Sequence, residues 1–114
     1  MNKIKQVECN FGAIAQAATE DSTAIDLAMY DNAHRFSSQA ILAGSGTLDI
    51  SYYISIDGIN FVIGAAPIHA DMVLSDSPTL PVDFTPPLCR WLKIRAVEKN
   101  VDTITSLRVI LCIQ

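Results

Sequence analysis

Residues 46–64 read GTLDISYYISIDGINFVIG, and alternate positions separate cleanly. Leu48, Ile50, Tyr52, Ile54 and Ile56 fall on one side, and Asp49, Ser51, Tyr53, Ser55 and Asp57 on the other. A two-residue period is that of a strand with one buried face. The run turns back at Asp57-Gly58, a pair that tolerates positive φ at both positions and so suits a two-residue type I′ hairpin. On this reading Ile54 is a core residue and Ser55 an outward one.

The same period recurs along the chain. Residues 4–9 alternate weakly and predict a first strand, with lysines that mark it as an edge. Residues 12–18, GAIAQAA, are too short to nucleate a helix without a cap and read as extended. Glu20-Asp21-Ser22 reads as a turn, and residues 23–29 as a strand with Ile25, Leu27 and Met29 on one side. After a polar connection over residues 30–33, residues 34–43 form a strand carrying Phe36, Ser38, Ala40 and Leu42 on one face. Gly44-Ser45-Gly46 then closes a hairpin into the central stretch.

Residues 59–66 give a return strand, broken by Pro67, which cannot donate to a ladder. Residues 68–87, with Pro78, Pro81, Pro86 and Pro87, read as a long loop in which residues 72–74 and 82–84 pair briefly. Residues 88–99 and 103–114 are two long strands around a short connection. In them Leu92, Ile94 and Ala96 face the same side as Leu107, Val109, Leu111 and Ile113. If Glu98 faces Thr103, antiparallel pairing sets Cys89 opposite Cys112. Some seven short strands with turn chemistry between them predict an all-β fold: a single antiparallel β-sandwich domain over residues 1–114, jelly-roll-like in connectivity.

Composition narrows the class. Of 114 residues, 50% are hydrophobic and 18% charged, which excludes a disordered chain. The apolar runs are short and alternating, well below the roughly 20 consecutive residues of a membrane-spanning helix. The first ten residues, MNKIKQVECN, have lysines but no apolar stretch behind them, so no secretory signal is expected and synthesis is cytoplasmic. A net charge of −4 argues against nucleic acid as a partner. Arg90, Lys93, Arg95 and Lys99 lie close together and read as a solvated strand face. Cys9, Cys89 and Cys112 are odd in number and lack CxxC spacing, which disfavours both a disulfide framework and a zinc site.

No catalytic constellation, cofactor motif or metal set emerges, and no enzymatic activity is expected. His69-Ala70-Asp71 offers two candidate ligands where a metal needs three or four, so both read as exposed loop residues. Gly44-Ser45-Gly46 lacks the Gly-Lys-Ser/Thr and the helix of a phosphate loop. Asp49 and Asp57, eight residues apart on an extended chain, lie more than about 20 Å from each other, too far to act as an acid/base pair. Tyr53 and Trp91 point away from the predicted core beside Lys93 and Arg95. They fit a protein interface, a core covered by the second sheet, or a sugar-stacking platform. With the Phe84-Thr85-Pro86-Pro87 arm they define a candidate interface: Tyr53, Phe84, Pro86, Pro87, Trp91, Lys93 and Arg95.

Ser22-Thr23-Ala24-Ile25-Asp26-Leu27, Phe36-Ser37-Ser38-Gln39-Ala40, Gly46-Thr47-Leu48, Ser55-Ile56-Asp57-Gly58-Ile59-Asn60-Phe61 and Arg90-Trp91-Leu92-Lys93-Ile94-Arg95-Ala96 occur in this order. Together they resemble the small β-sandwich virion proteins of tailed bacteriophages, over about nine tenths of the chain. Phe61 stands where that pattern commonly has Trp, and a proline-containing insert precedes Leu88. The resemblance implies a non-catalytic virion structural protein, a capsid decoration or cement protein or another small head or tail component. Its implied partners are other virion proteins and itself, with no membrane contact. The alternative is a carbohydrate-binding or receptor-binding module that stacks sugar on Tyr53 and Trp91.

Overall fold

The computed structural model describes residues 4–30, 35–64, 67–100 and 102–114. Its strands are β1 (Lys5–Ile14), β2 (Thr19–Asp21), β3 (Ile25–Asp26), β4 (Phe36–Gly44), β5 (Leu48–Ser55), β6 (Val62–Ile63), β7 (His69–Met72), β8 (Val82–Phe84), β9 (Trp91–Glu98) and β10 (Ile104–Ile113). One sheet runs β1-β10-β4-β8. In the other, β9 and β5 are the central pair; β2 and β3 flank β9, and β6 and β7 flank β5. All pairings are antiparallel, and the two sheets pack as an all-β sandwich.

The core follows from alternation. Phe36, Ser38, Ala40 and Leu42 of β4, Leu92, Ile94 and Ala96 of β9, and Leu107, Val109, Leu111 and Ile113 of β10 are all buried between the sheets. The long strands thus lie where their apolar period predicts, and β1 occupies the expected edge.

Two predicted hairpins do not form. β4 and β5 belong to different sheets, so Gly44-Ser45-Gly46 is a crossover. Gly44 has φ +108, and a Cβ there would lie 2.6 Å from the Thr105 backbone nitrogen, so only glycine fits this bend. β9 and β10 are likewise split, β9 pairing with β5 and β10 with β1 and β4. They face each other across the core instead of edge to edge. Cys112 therefore stands opposite Gln6 and Ser37, and Cys89 precedes β9 in the other sheet.

Smaller differences have local causes. Residues 19–21 form β2 and not a turn, because Asp21 lies beside Arg95 of β9 and binds it. The strand expected over residues 23–29 stops after Asp26, whose carboxylate accepts the Ala28 N–H at 3.0 Å and starts a single 3-10 turn, Leu27–Met29. Of residues 12–18 only Gly12 to Ile14 extend β1, through two register shifts. The return strand after the central turn shrinks to β6, and the proline-rich stretch is more regular than expected, supplying β7, a 3-10 turn and β8. His34 and residues 31–33 lie outside the described residues.

Candidate interface at the turn between β5 and β6

The turn after β5 is wider than a two-residue hairpin. The pairs Tyr53 with Ile63 and Ile54 with Val62 leave residues 55–61 between them, and Asp57 is not in the left-handed region; Gly58 is, at φ +79. The Asp57 side chain organises the loop. It accepts the backbone N–H groups of Asn60 and Ile59 at 2.9 Å each, the Ser55 hydroxyl at 2.8 Å and the Asn60 side-chain amide at 2.7 Å. These donors, the Asn60 and Ile59 amides foremost, hold its carboxyl well below the usual carboxylate range. Ser55 is buried and in turn accepts the Gly58 N–H at 2.9 Å, while Ile54 is half-buried. The expected ranking of these two positions is therefore overturned.

The locked turn presents apolar residues to solvent. Ile56 is 80% exposed, Ile59 81%, Val62 60%, and Leu88, across from them, 99%. Between the turn and residues 87–89 runs a groove of about 450 Å³ lined chiefly by Ile54, Ile56, Val62, Pro87, Leu88 and Cys89. Asp57, its charged lining residue, is already engaged by the loop. Ile56, Ile59, Val62 and Leu88 are not among the interface residues expected from sequence. The signal available is apolar residues on both sides of Asp57-Gly58, outside any paired register; alternation instead assigns Ile56 to the core.

Beside this end lies the outer face of the β5–β9 pair, where Tyr53 is opposite Lys93 and Ser55 opposite Trp91. The structure brings four of the expected residues, Tyr53, Trp91, Lys93 and Arg95, onto this face. Arg95 lies 4.1 Å over the Tyr53 ring, Lys93 4.5 Å over Phe61, and Arg90 5.1 Å over Trp91. A Cβ on Gly58 would lie 2.9 Å from the Trp91 Nε1, so the turn packs directly on the indole.

The cations are paired as well as stacked. Asp21 receives Arg95 Nε at 2.7 Å and Lys93 Nζ at 3.0 Å; Arg95, and then Lys93, lower its pKa against an opposing effect of burial. Arg90 grips Asp26 through two nitrogens at 3.1 Å, lowering the Asp26 pKa, and Lys99 bridges Asp71 and Asp49. The sequence predicts a solvated strand face here; the structure adds the carboxylates that balance its charge.

The other expected residues are elsewhere. Phe84, on β8 of the opposite sheet, stacks on Tyr52 at 4.8 Å and leans on Phe36 at 5.5 Å, so it serves the core. Pro86 is half-buried; Pro87 is exposed and joins the groove. His69 is not an exposed loop residue: it is buried on β7, paired with Ser38. Among the described residues no group of three His, Cys, Asp or Glu could hold a metal. Glu98 is a buried carboxylate in phase with Leu92, Ile94 and Ala96 on the inward face of β9; it accepts the Thr47 N–H at 2.8 Å and steadies the crossover into β5.

No family model and no curated protein matches the chain. Solved structures do. The SPBc2 prophage-derived protein YomS superposes with a TM-score of 0.54 at 8% identity, over 98% of this chain and 96% of that one. The PBSX exported protein XepA gives 0.62 at 15% identity, over 94% of this chain and 36% of XepA. VP2 of infectious bursal disease virus, in a subviral particle, gives 0.55 at 13% identity, over 98% of this chain and 33% of VP2. At such identities the likeness is one of fold. The chain spans nearly the whole of YomS and about a third of XepA and of VP2.

Proposed function

We propose that the protein is a non-catalytic structural component of a tailed-bacteriophage virion, a single sandwich domain that acts through protein–protein contacts. It serves as a capsid decoration or cement protein, or as another small head or tail component, and is made in the host cytoplasm. The observation that carries this reading is the apolar end formed by Ile56, Ile59, Val62 and Leu88, held by Asp57 beside a strand face where Arg90, Lys93 and Arg95 are paired with Asp26 and Asp21. A preorganised apolar surface of this kind is what an assembly contact uses, since little ordering entropy opposes binding.

The strand order supports it. Sheets ordered 1-10-4-8 and 2-9-5-6, with β3 and β7 as satellites, interleave the chain in the manner of a jelly roll. The prophage origin of YomS and the particle setting of VP2 agree with a virion role. The carbohydrate-module alternative needs free aromatic faces beside hydrogen-bonding groups, yet Tyr53 and Trp91 each already carry a guanidinium on one face.

The test is co-sedimentation of the purified protein with phage particles that lack it, heads and tails separately. Saturable binding to either, weakened by Leu88→Lys, is expected. Binding to neither, with retention on polysaccharide, would sink the virion reading in favour of the alternative.

A further inference from the structure

The chain contains one Asp-Gly pair, Asp57-Gly58, and no Asn-Gly pair. Such a pair carries its own chemistry. The glycine backbone nitrogen attacks the aspartate Cγ and closes a five-membered succinimide, expelling the carboxyl hydroxyl together with the amide hydrogen as one water. A second water opens the ring at either carbonyl. One opening returns aspartate; the other leaves isoaspartate, in which the main chain runs through the side-chain methylene. No oxidant or cofactor is needed. Glycine favours the attack because no Cβ obstructs its nitrogen, and Asp57 is exposed, so water reaches the pair.

The turn withholds both reacting groups. The nucleophile is occupied, since the Gly58 N–H donates to the Ser55 hydroxyl at 2.9 Å. The carboxyl is occupied too. Ring closure proceeds from its protonated form, whereas the Asn60 and Ile59 amides, the Ser55 hydroxyl and the Asn60 side chain all donate to the ionised one. These donors hold the Asp57 pKa well below the usual carboxylate range, which thins the reactive form at neutral pH. Ser55 acts on both partners of the reaction: one buried hydroxyl donates to Asp57 and accepts from Gly58.

We propose that Asp57-Gly58 is a self-modification site that the folded turn keeps closed, and that Ser55 and Asn60 are the side chains that close it. Opening of the turn releases the Gly58 nitrogen and the Asp57 carboxyl together. Isoaspartate then lengthens the main chain by a methylene and draws the carboxylate away from the Ile59 and Asn60 amides, so the turn does not re-form. The change is lasting, and it removes the support on which Ile56, Ile59 and Val62 stand. This chemistry belongs to the isolated chain and does not depend on the virion reading.

Isoaspartate formation during prolonged warm incubation at neutral pH, followed by peptide mapping with electron-transfer fragmentation, tests it. In the guanidinium-unfolded chain Asp57 should isomerise ahead of every other aspartate. In the native chain it should react at least about tenfold more slowly, the factor that a carboxyl pKa lowered by about one imposes without any other effect. Asn60→Ala, at an exposed position, and Ser55→Ala should each speed the native reaction severalfold while melting curves show the chain folded. Ser55→Ala should do so more strongly, because it also frees the Gly58 N–H; if it fails to fold, Asn60→Ala decides. A native chain that isomerises as fast as the unfolded one overturns the proposal. So do folded variants that keep the wild-type rate, or an unfolded chain in which another aspartate isomerises first.

Discussion

The Ser38 hydroxyl on β4 lies 3.1 Å from Nε2 of His69 on β7, and this hydrogen bond ties one sheet to the other through the core. Both residues are buried. Burial pushes the His69 pKa below its ordinary value, and the contact with Ser38 only partly opposes it. The folded state therefore binds the proton less well than the unfolded chain. The associated stability is complete above the unfolded pKa of about 6.5 and is lost as pH falls from there through the folded value. Unfolding free energy measured by urea titration should begin to drop near pH 6.5, before the carboxylates of Asp21 and Asp26 are protonated below about pH 4. His69→Gln should remove the first step and leave the second; an unaltered first step would assign it to His34 instead.

Ser55→Ala and Ile54→Ala should cost comparable stability. Ser55 joins β5 to the turn through Asp57 and the Gly58 N–H, and removing its hydroxyl costs these two partly buried hydrogen bonds, about 1–3 kcal/mol together. Ile54 is half-buried, so its truncation falls at the low end of the ~2–5 kcal/mol typical of core positions. Chemical denaturation of the two variants checks this. A Ser55→Ala cost below about 0.5 kcal/mol would show that the turn holds without that hydroxyl.

These two residues also show where sequence reading succeeds and where it stops. The period of β4, β9 and β10 identifies the inward faces, because alternation is set by the pleat and the pleat is local. Which sheet a strand joins is not local: inner faces of both sheets carry the same Leu, Ile and Val, so β9 and β10 look like partners when they oppose each other across the core. Periodicity also does not show what satisfies a buried polar group. Ser55, His69 and Glu98 are tolerated inside only because Asp57, Ser38 and the Thr47 N–H meet them, contacts made across 2 to 51 residues of chain. The candidate interface is half legible: Tyr53, Trp91, Lys93 and Arg95 do share a face, but the apolar end is hidden by extending the strand period past its last paired residue.

The three thiols should react in the order of their exposure, and no Cys89–Cys112 bridge should form. Cys112 is exposed on β10, Cys89 is half-buried before β9, and Cys9 is buried; burial raises the pKa of Cys9 and Cys89, which lowers their thiolate fraction at neutral pH. Timed alkylation followed by mass spectrometry should label Cys112 first and Cys9 only on unfolding. Recovery of a Cys89–Cys112 bridge from native protein within one chain would contradict the placement of β9 and β10 in separate sheets.

Gly58 is the position at which the turn, the aromatic face and the apolar end can be perturbed together. Its φ of +79 makes a side chain costly, by about 1–2 kcal/mol for alanine. A Cβ would also lie 2.9 Å from the Trp91 Nε1, closer than a side-chain carbon tolerates. The two effects separate with asparagine, which adopts the left-handed region more readily than alanine but carries the same Cβ. If strain alone mattered, Gly58→Asn would recover much of the stability lost in Gly58→Ala. The contact with Trp91 predicts instead that both variants melt several degrees lower. It also predicts that both shift the emission of the chain's single tryptophan to the red, as the displaced indole gains water. Wild-type emission in Gly58→Asn would mean that the turn does not rest on the indole.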